Sequence, residues 1–257
     1  MLDCAASIVI YNTPQEMLLK AAESFLSCSL KTQLYIVDNS PGPALENNFG
    51  HLPVEYHFCG ENAGYGRAHN WAIEHSKGNR YYLIMNPDII IGHGTIELLT
   101  DFMDKNPDIG MVCPRITNED GTTQYLNRRY PNVLDLFARR FIPAKFHNLM
   151  KKRMNYHDMR DVGYDKICDV EFMTGSFMFC RMDTLRAVNG FDTRYFMYFE
   201  DCDLGRKFQD HGYRTVYFPH ASVVHRWERA SYKNLKMIAI HVISMFRYFN
   251  KWGWKFF

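Results

Sequence analysis

The sequence lacks the features that define several large classes of protein. Its formal net charge is only +2 over 257 residues, so the total charge gives no indication of nucleic-acid binding. No apolar run approaches the roughly 20 residues that span a bilayer. There is no G-x-x-x-x-G-K-[ST] phosphate loop and no complete G-x-G-x-x-G dinucleotide fingerprint. A phosphate loop and a dinucleotide site are therefore not expected, and a globular enzyme of another kind is favoured.

The cysteines also lack a pattern. There are seven, an odd number, and no two are spaced C-x-x-C. Several lie in apolar runs such as Met111-Val112-Cys113, which predicts free and mostly buried thiols in a reducing compartment. The first residues include no basic segment followed by a long apolar one, so we expect no secretory signal and a cytoplasmic protein.

The chain does contain short apolar runs that alternate with amphipathic segments. Strands are predicted at 6–11, 34–37, 54–58, 81–85 and 111–113, with helices after Pro14, after Gly66 and over 94–105. Further strands are predicted at 170–180 and 215–224, with helices starting near 183 and 199. This alternation predicts one α/β domain over 1–228, with a mostly parallel sheet and helices on both faces. Residues 117–165 are basic and irregular, and we interpret them as an acceptor-side insertion.

Polar residues and glycines cluster directly after the predicted strands. In open α/β sheets this carboxyl edge is where ligands bind. The pattern therefore places Asn12, Asp38, Asn62, Gly64, Gly66 and Asp88 along one rim. Asp38 could hydrogen-bond a nucleobase or a ribose, although Asp-Asn-Ser-Pro is equally typical of a turn.

Asn86-Pro87-Asp88 is a sharper signal. Proline stiffens the end of the strand and directs Asp88 away from the sheet, where a carboxylate can hold a divalent cation between two phosphates. A cap or turn is the alternative. His225, at the end of a late strand, is by itself more often structural, but two strands of one sheet can bring Asp88 and His225 to the same metal.

The acidic pair Glu200-Asp201 lies among Tyr195, Phe196, Tyr198 and Phe199. Aromatic surroundings raise the pKa of a carboxyl by desolvation, which suits a general base that accepts a proton from an alcohol. The alternative is that both acids only stabilise a helix N-terminus electrostatically.

Taken in order, these segments resemble the family 2 glycosyltransferases. The resemblance is carried by Ile-Val-Ile-Tyr-Asn, Val-Asp-Asn-Ser, Glu-Asn-Ala-Gly-Tyr-Gly-Arg-Ala-His-Asn, Met-Asn-Pro-Asp, Thr-Gly-Ser-Phe-Met and Tyr-Phe-Glu-Asp-Cys-Asp-Leu, from about Ser7 to His225. The branch that looks most similar is that of the rhamnosyltransferases of bacterial surface-polysaccharide and O-antigen assembly. The resemblance implies a GT-A (Rossmann-like) fold, an inverting displacement and a divalent cation, Mg²⁺ or Mn²⁺.

The same resemblance implies roles for individual residues. Asp201 matches the base and Glu200 its neighbour, while Asp88 and His225 match the metal ligands. Gly175 and Ser176 match the acceptor-side pair. The residues matched to nucleotide-sugar binding are Tyr11, Asn12, Asp38, Asn39, Asn62, Gly64, Gly66, Arg67, Asn70 and Asn86.

The last segment, 229–257, contains no acidic residue. Its basic residues are Arg229, Lys233, Lys236, Arg247, Lys251 and Lys255, and its apolar residues Leu235, Ile238, Val242, Met245 and Phe249 recur at helical spacing before Trp252, Trp254, Phe256 and Phe257. A basic amphipathic helix with an aromatic end is typical of helices that lie on anionic membranes. The alternative is a C-terminal helix packed on the domain.

The sequence therefore predicts transfer of rhamnose from dTDP-L-rhamnose to a sugar on a polyprenyl diphosphate, at the inner face of the cytoplasmic membrane. Two alternatives stay open. The donor could be another nucleotide-sugar, such as UDP-galactose or UDP-N-acetylglucosamine, or the chain could be a catalytically silent nucleotide-sugar-binding scaffold.

Overall fold

The first half of the chain has the predicted alternation of strands and helices. The computed structural model describes residues 2–46, 48–49, 52–136, 147–226 and 235–256, with the backbone alone for 147–150. The elements are β1 (Leu2–Ile10), α1 (Gln15–Leu26), β2 (Thr32–Asp38), β3 (Val54–Phe58), α2 (Tyr65–His75), β4 (Asn79–Met85), β5 (Ile89–Ile91), α3 (Thr95–Lys105) and β6 (Ile109–Thr117). The sequence did not predict β5, because three isoleucines are too short a run to identify a strand.

The second half contains α4 (His147–His157), β7 (Cys168–Asp169), β8 (Phe177–Arg181), α5 (Met182–Ala187), α6 (Glu200–Asp210), β9 (Arg214–His225) and α7 (Leu235–Trp252). The strand predicted at 170–180 is wrong over most of its length. Only its end belongs to β8, because the backbone N–H of Gly175 donates to a side chain, the carboxylate of Asp201, instead of to a neighbouring strand.

The described strands form one mixed sheet in the order β3-β2-β1-β4-β8-β6-β9-β5, with β7 paired to β9. Strands β1 to β4 are parallel where they pair, and β6 is parallel to β9. Strand β8 runs antiparallel to both β4 and β6, and β5 and β7 run antiparallel to β9. The α/β class is confirmed, but the sheet is mixed, because β8 is inserted antiparallel between β4 and β6.

Helices cover both faces of the sheet, as predicted. Helices α1 and α3 bury Phe25 and Leu99 in one apolar cluster, while α2 and α6 bury Ala72 and Leu204 in another. Because both faces are covered, the polar ends of the strands form the accessible rim of the sheet. The predicted rim is therefore accessible, and ligand binding there stays a prediction.

The segment 117–165 is more ordered than expected where it is described. It includes α4, and ion pairs of 2.8 Å join Arg129 to Asp161 and Arg115 to Asp165. The sequence missed α4 because its residues combine many charges with few apolar positions. The predicted pair at 139–140 lies outside the described residues.

Helix α7 confirms that the C-terminal segment is helical and also that it packs on the domain. Tyr248 and Phe249 are 1% exposed, whereas Leu235, Ile243 and Phe246 are 80%, 49% and 47% exposed. The predicted apolar stripe is therefore divided between two faces, because Met245 and Phe249 pack against the domain. Residues 229, 233 and 257 lie outside the described part of the chain.

Two further expectations concern the whole sequence. No helix in the described part of the chain combines the length and apolar character needed to cross a membrane. All seven cysteines are free thiols, and Cys4, Cys113, Cys180 and Cys202 are buried, as the sequence predicted.

Candidate active site

Asp88 and His225 meet at the edge of the sheet. Strand β5 pairs antiparallel with β9 so that Ile89 lies opposite His225, and the carboxylate that precedes β5 therefore reaches the imidazole. Asp88 Oδ2 and His225 Nε2 are 3.3 Å apart, with side-chain exposures of 17% and 8%. The predicted convergence of these two residues is confirmed as a contact.

The orientation of His225 is fixed by Gln124. The amide nitrogen of Gln124 donates to the His225 carbonyl at 3.0 Å and to Asn118 Oδ1 at 2.7 Å, so its oxygen faces His225 Nδ1 at 2.9 Å. Nδ1 must then carry a hydrogen, and Nε2 is directed at Asp88.

This pair fits a divalent cation. Nε2 of His225 and Oδ2 of Asp88 face each other at 3.3 Å, and among the described residues Asp88 Oδ1 is buried without a hydrogen-bond partner, so two ligand atoms are available to a cation at this position. Among the described residues no cluster of three or more His, Cys, Asp or Glu could hold a metal. A cation here would thus have two protein ligands, which suits Mg²⁺ or Mn²⁺ when phosphate oxygens supply the other positions.

Glu200 and Asp201 occupy the first turn of α6 but have different surroundings. Asp201 Oδ2 accepts the N–H of Gly175 at 2.9 Å, and Oδ1 accepts that of Cys202 at 2.8 Å. Glu200 is 6% exposed, and its Oε2 has no hydrogen-bond partner. Burial raises the pKa of Asp201, opposed by the two N–H groups, whereas burial and the charge of Asp201 raise the pKa of Glu200 well above its usual range. Asp201 is therefore the carboxylate of the pair and Glu200 the neutral acid.

The backbone that presents this pair is strained. Tyr198 and Phe199, directly before Glu200, have φ values of 70° and 67°. Each such non-glycine residue costs about 1–3 kcal/mol and persists only where the surroundings impose it. Both rings contact His241 of α7, with centroids 5.2 and 5.3 Å away. Helix α7 thus helps to hold the acidic pair in place.

Tyr65 connects the segment around Asn86 with the segment around Gly175. Its hydroxyl lies 2.6 Å from the Gly175 carbonyl and 3.2 Å from Asn86 Oδ1, and the Asn86 N–H donates to the Ser176 carbonyl at 3.0 Å. The predicted residues Asn86, Gly175 and Ser176 are therefore joined in one network, which continues to Asp201. Burial and the charges of nearby carboxylates raise the pKa of Tyr65, so it stays a neutral donor.

Below Tyr65 lies a buried histidine. The rings of Tyr65 and His69 are 4.4 Å apart, and His69 Nδ1 pairs with Ser7 Oγ at 2.7 Å. Burial lowers the pKa of His69 to about 3, so it remains neutral. His69 supports the Tyr65 ring from inside the core.

At the ends of β1 and β2, Tyr11 and Asp38 differ in accessibility. Tyr11 is 52% exposed and presents a free ring face, which suits stacking on a nucleobase. Asp38 is 1% exposed and accepts the N–H of Ser40 at 2.8 Å and the hydroxyl of Tyr56 at 2.6 Å. Asp38 therefore makes the side-chain contact expected of a turn, and its contact with a nucleobase or ribose stays a prediction. Asn12 has φ 50° and donates its N–H to Ser40 Oγ at 2.9 Å, which joins the loop after β1 to the loop after β2.

The loop before α2 is tied to the rim by amides. Asn39 donates its side-chain N–H to the Gly64 carbonyl at 3.1 Å, and Asn62 Oδ1 accepts the Gly64 N–H at 3.1 Å. Arg67, 62% exposed beside Glu61 at 3.5 Å, is the accessible cation of this loop. Contact of these residues with a nucleotide stays a prediction.

Three other predicted residues have evident packing roles. A Cβ on Gly64 would lie 2.4 Å from the Phe196 carbonyl oxygen, and one on Gly66 would lie 2.8 Å from Phe191 Cβ. Asn70 exchanges two 2.8 Å hydrogen bonds with the backbone of Phe191. These residues hold the 190–196 segment against α2, and any contact with the donor would be additional.

A cavity of about 540 Å³ opens beside the acidic pair. Its lining comes from the 117–165 segment, Phe172, residues 198–201 and α7, and includes Arg128 and His241. The acidic pair therefore faces a space large enough for a sugar-sized ligand.

Helix α7 is attached by a buried ion pair. Asp203 is 0% exposed and binds Lys251 Nζ at 2.8 Å and Trp252 Nε1 at 2.7 Å, and Lys251 also contacts Asp192 at 3.0 Å. The sequence analysis counted Lys251 among the basic residues of the predicted membrane helix. In the structure it is mostly buried and forms ion pairs with Asp192 and Asp203.

Sequence reasoning missed several of these residues. Tyr65 could have been noticed in the sequence as an aromatic residue between two glycines. Gln124 and Arg128 lie in an irregular segment and give no local signal. Asp203 lies in the same first turn of α6 as the acidic pair, and its partners are distant in sequence.

Comparison with known proteins agrees with this architecture. A model of the family described as Glycosyltransferase like family 2 matches residues 54–247. The N-acetylglucosaminyl-diphospho-decaprenol L-rhamnosyltransferase of Mycobacterium tuberculosis is 30% identical over 200 residues, which cover 73% of this chain but only 62% of that protein. Rhamnosyltransferase WbbL of Escherichia coli K12 is 26% identical over 250 residues, covering 94% of this chain and 90% of WbbL.

Two solved structures share the fold. GalNAc-T7 with UDP, GalNAc and Mn²⁺ superposes with a TM-score of 0.68 at 13% identity, covering 91% of this chain and 45% of that one. The mannosyltransferase PcManGT from Pyrobaculum calidifontis, in complex with GDP-Man and Mn²⁺, gives 0.62 at 16% identity, covering 90% and 59%. The expected GT-A fold is confirmed.

Proposed function

Because this chain belongs to glycosyltransferase family 2, we propose that it transfers rhamnose from dTDP-L-rhamnose to a sugar carried on a polyprenyl diphosphate, with inversion at the anomeric carbon. The reaction class follows from the family. Donor and acceptor are proposed from the names of the two rhamnosyltransferase relatives, one of which acts on a decaprenyl-diphosphate sugar by its name. The observation that carries the proposal is the network that joins Asn86, Gly175 and Asp201 beside the cavity.

In the proposed reaction the acceptor hydroxyl attacks C1 of the rhamnosyl group. The new bond joins the acceptor oxygen to C1 while the bond from C1 to the diphosphate oxygen breaks, and dTDP leaves with that electron pair. Asp201 takes the hydroxyl proton, and its two backbone N–H bonds favour its ionised form against the effect of burial. Attack opposite the leaving group inverts the configuration.

Asp88 and His225 would hold the divalent cation. When bound, Mg²⁺ or Mn²⁺ would neutralise charge that develops on the departing diphosphate. The protein's own contribution is to fix these two ligands, because Gln124 sets the imidazole orientation and the β5–β9 pairing sets the distance. At the other end of the donor site, Tyr11 would stack on the base, and Arg67 would approach the phosphates.

The exposed face of α7 would bring the enzyme to its lipid-linked acceptor. No acidic residue occurs among 235–256, and the exposed apolar side chains Leu235, Val242, Ile243 and Phe246 lie on one side of the helix, with Trp254 and Phe256 beyond it. An apolar face with only basic charges around it suits the surface of an anionic membrane. This supports a peripheral position at the inner face of the cytoplasmic membrane.

Donor, acceptor and metal are tested together by a transfer assay. The purified protein is given dTDP-L-rhamnose, UDP-galactose or UDP-N-acetylglucosamine with a short-chain N-acetylglucosamine-diphosphate-lipid, with and without EDTA. We expect a rhamnosylated lipid that disappears in EDTA and returns with Mg²⁺ or Mn²⁺. Product formed only from a UDP-sugar would show that the donor is that UDP-sugar and not dTDP-L-rhamnose. A folded protein that neither transfers nor hydrolyses any donor would favour the silent scaffold.

Membrane contact is tested by flotation with vesicles that contain an anionic phospholipid. Replacing Ile243 and Phe246 by aspartate should reduce vesicle binding at least tenfold, because each large apolar side chain contributes about 1.5–3 kcal/mol when buried. The control is Leu98→Asp, which alters an equally exposed leucine on α3. Equal binding by both variants would refute a role for this face.

A further inference from the structure

Glu200 is an unusual side chain for its position. It is 6% exposed, it lines the cavity beside Asp201, and its Oε2 has no hydrogen-bond partner among the described residues. A buried carboxyl oxygen without a partner costs about 1–3 kcal/mol, and most buried polar atoms avoid this cost by forming a bond. An orphaned oxygen that borders a cavity points to a partner supplied by a ligand.

We propose that Glu200 recognises the acceptor sugar, through a hydrogen bond between its Oε2 and a ring substituent next to the hydroxyl that Asp201 deprotonates. The inference rests on the proposed function, since it takes the ligand of the cavity to be the acceptor. It assigns Glu200 to acceptor binding and leaves proton transfer to Asp201.

Neighbouring residues on α6 match neighbouring groups on a sugar ring. Glu200 and Asp201 are consecutive in the first turn and both line the cavity, so two substituents on adjacent carbons can meet them together. Their protonation supports the division of roles. Two backbone N–H groups stabilise the charge of Asp201, whereas burial raises the pKa of Glu200 and leaves it an O–H to donate.

The walls of the cavity are of the kind that holds a sugar. Phe172, Tyr198 and Phe199 provide aromatic surface, and Arg128 and His241 provide polar atoms. A pyranose has apolar C–H faces and polar edges, so it can pack on the rings while its hydroxyl groups reach the polar side chains. The alternative, that Glu200 only favours the N-terminus of α6 electrostatically, requires an ionised carboxylate and would leave Oε2 without a bond.

The test is equilibrium binding of the short-chain N-acetylglucosamine-diphosphate-lipid, measured by calorimetry without any donor. Glu200→Ala should weaken this binding tenfold or more, because it removes a hydrogen bond in a desolvated site. Glu200→Gln keeps the shape and both hydrogen-bonding functions, so its affinity should stay within a few-fold of the wild type. Glu74→Gln, an exposed change on α2, is the matched control.

Monodeoxy analogues of the same lipid identify the partner group. One analogue, which lacks a substituent adjacent to the acceptor hydroxyl, should bind the wild type as weakly as the full acceptor binds Glu200→Ala. Glu200→Ala should bind this analogue and the full acceptor with equal affinity. Affinity for dTDP should be the same in all variants.

Either of two results would overturn the inference. The first is that Glu200→Ala binds the acceptor as well as the wild type does, and the second is that it loses dTDP and acceptor affinity together, as general damage would predict. A wrong assignment of the sugar donor would not affect these results, because the acceptor binding is measured without any donor. If the wild type does not bind the lipid at all, both the acceptor proposal and this inference fail.

Discussion

Replacing Asp201 by asparagine removes the proposed base with little change in shape. A positioned carboxylate contributes about 10²–10⁴-fold to a proton-transfer step, so we expect kcat for rhamnosyl transfer to fall by that factor. Two backbone N–H groups now bond the carboxylate, one to each oxygen, and an asparagine can accept only one of them. The lost bond costs about 1–3 kcal/mol, partly offset because a desolvated charge is removed.

The free energy of unfolding should therefore change by no more than about 2 kcal/mol. The assay is single-turnover transfer at saturating donor and acceptor, together with dTDP affinity and the melting temperature. Asp210→Asn, an exposed change at the other end of α6, is the control and should retain full activity. Transfer by Asp201→Asn above a tenth of the wild-type rate would refute Asp201 as the base. Lost dTDP affinity would show that the change acts on the fold.

Three further predictions follow from the site. Asp88→Asn should weaken Mn²⁺ binding in the presence of dTDP at least tenfold, measured by electron paramagnetic resonance, and unchanged affinity would remove Asp88 from the metal site. The kcat of the wild type should rise with pH through the raised pKa of Asp201, because the base must be ionised, and Glu200→Gln should keep this rising limb, since Glu200 is protonated over that range. Loss of the limb in that variant would identify Glu200 as the titrating base. Lys251→Met should lower the melting temperature by about 5–10 °C, because it leaves carboxylates uncompensated, whereas Lys255→Met should not.

The sequence was sufficient for the fold class and for the positions of most strands and helices. It also identified Asp88, His225 and Asp201, because each follows or opens an element with a clear apolar pattern. It failed at 170–180, where an apolar run suggests a strand although the loop at Gly175 bonds to a side chain across the site. Local pattern does not record such long-range bonds.

The C-terminal helix shows a second limit of pattern reading. Its apolar residues cover more than one face, so the sequence alone could not separate the side that packs on the domain from the side that stays exposed. The separation is made by Asp203, whose buried carboxylate binds Lys251 and Trp252 and so fixes the rotation of the helix. A partner so distant in sequence leaves no periodic signal.

The short pairing of β5 with β9 has a consequence for how the protein matures. Asp88 is synthesised early, but His225 ends the last strand of the sheet, so the proposed cation site cannot form until β9 has docked. Long-range pairings of this kind form late, because closing a long loop is entropically costly. Metal affinity would therefore develop only with the completed sheet. The time course of Mn²⁺ binding during refolding would then report the rate at which β9 docks.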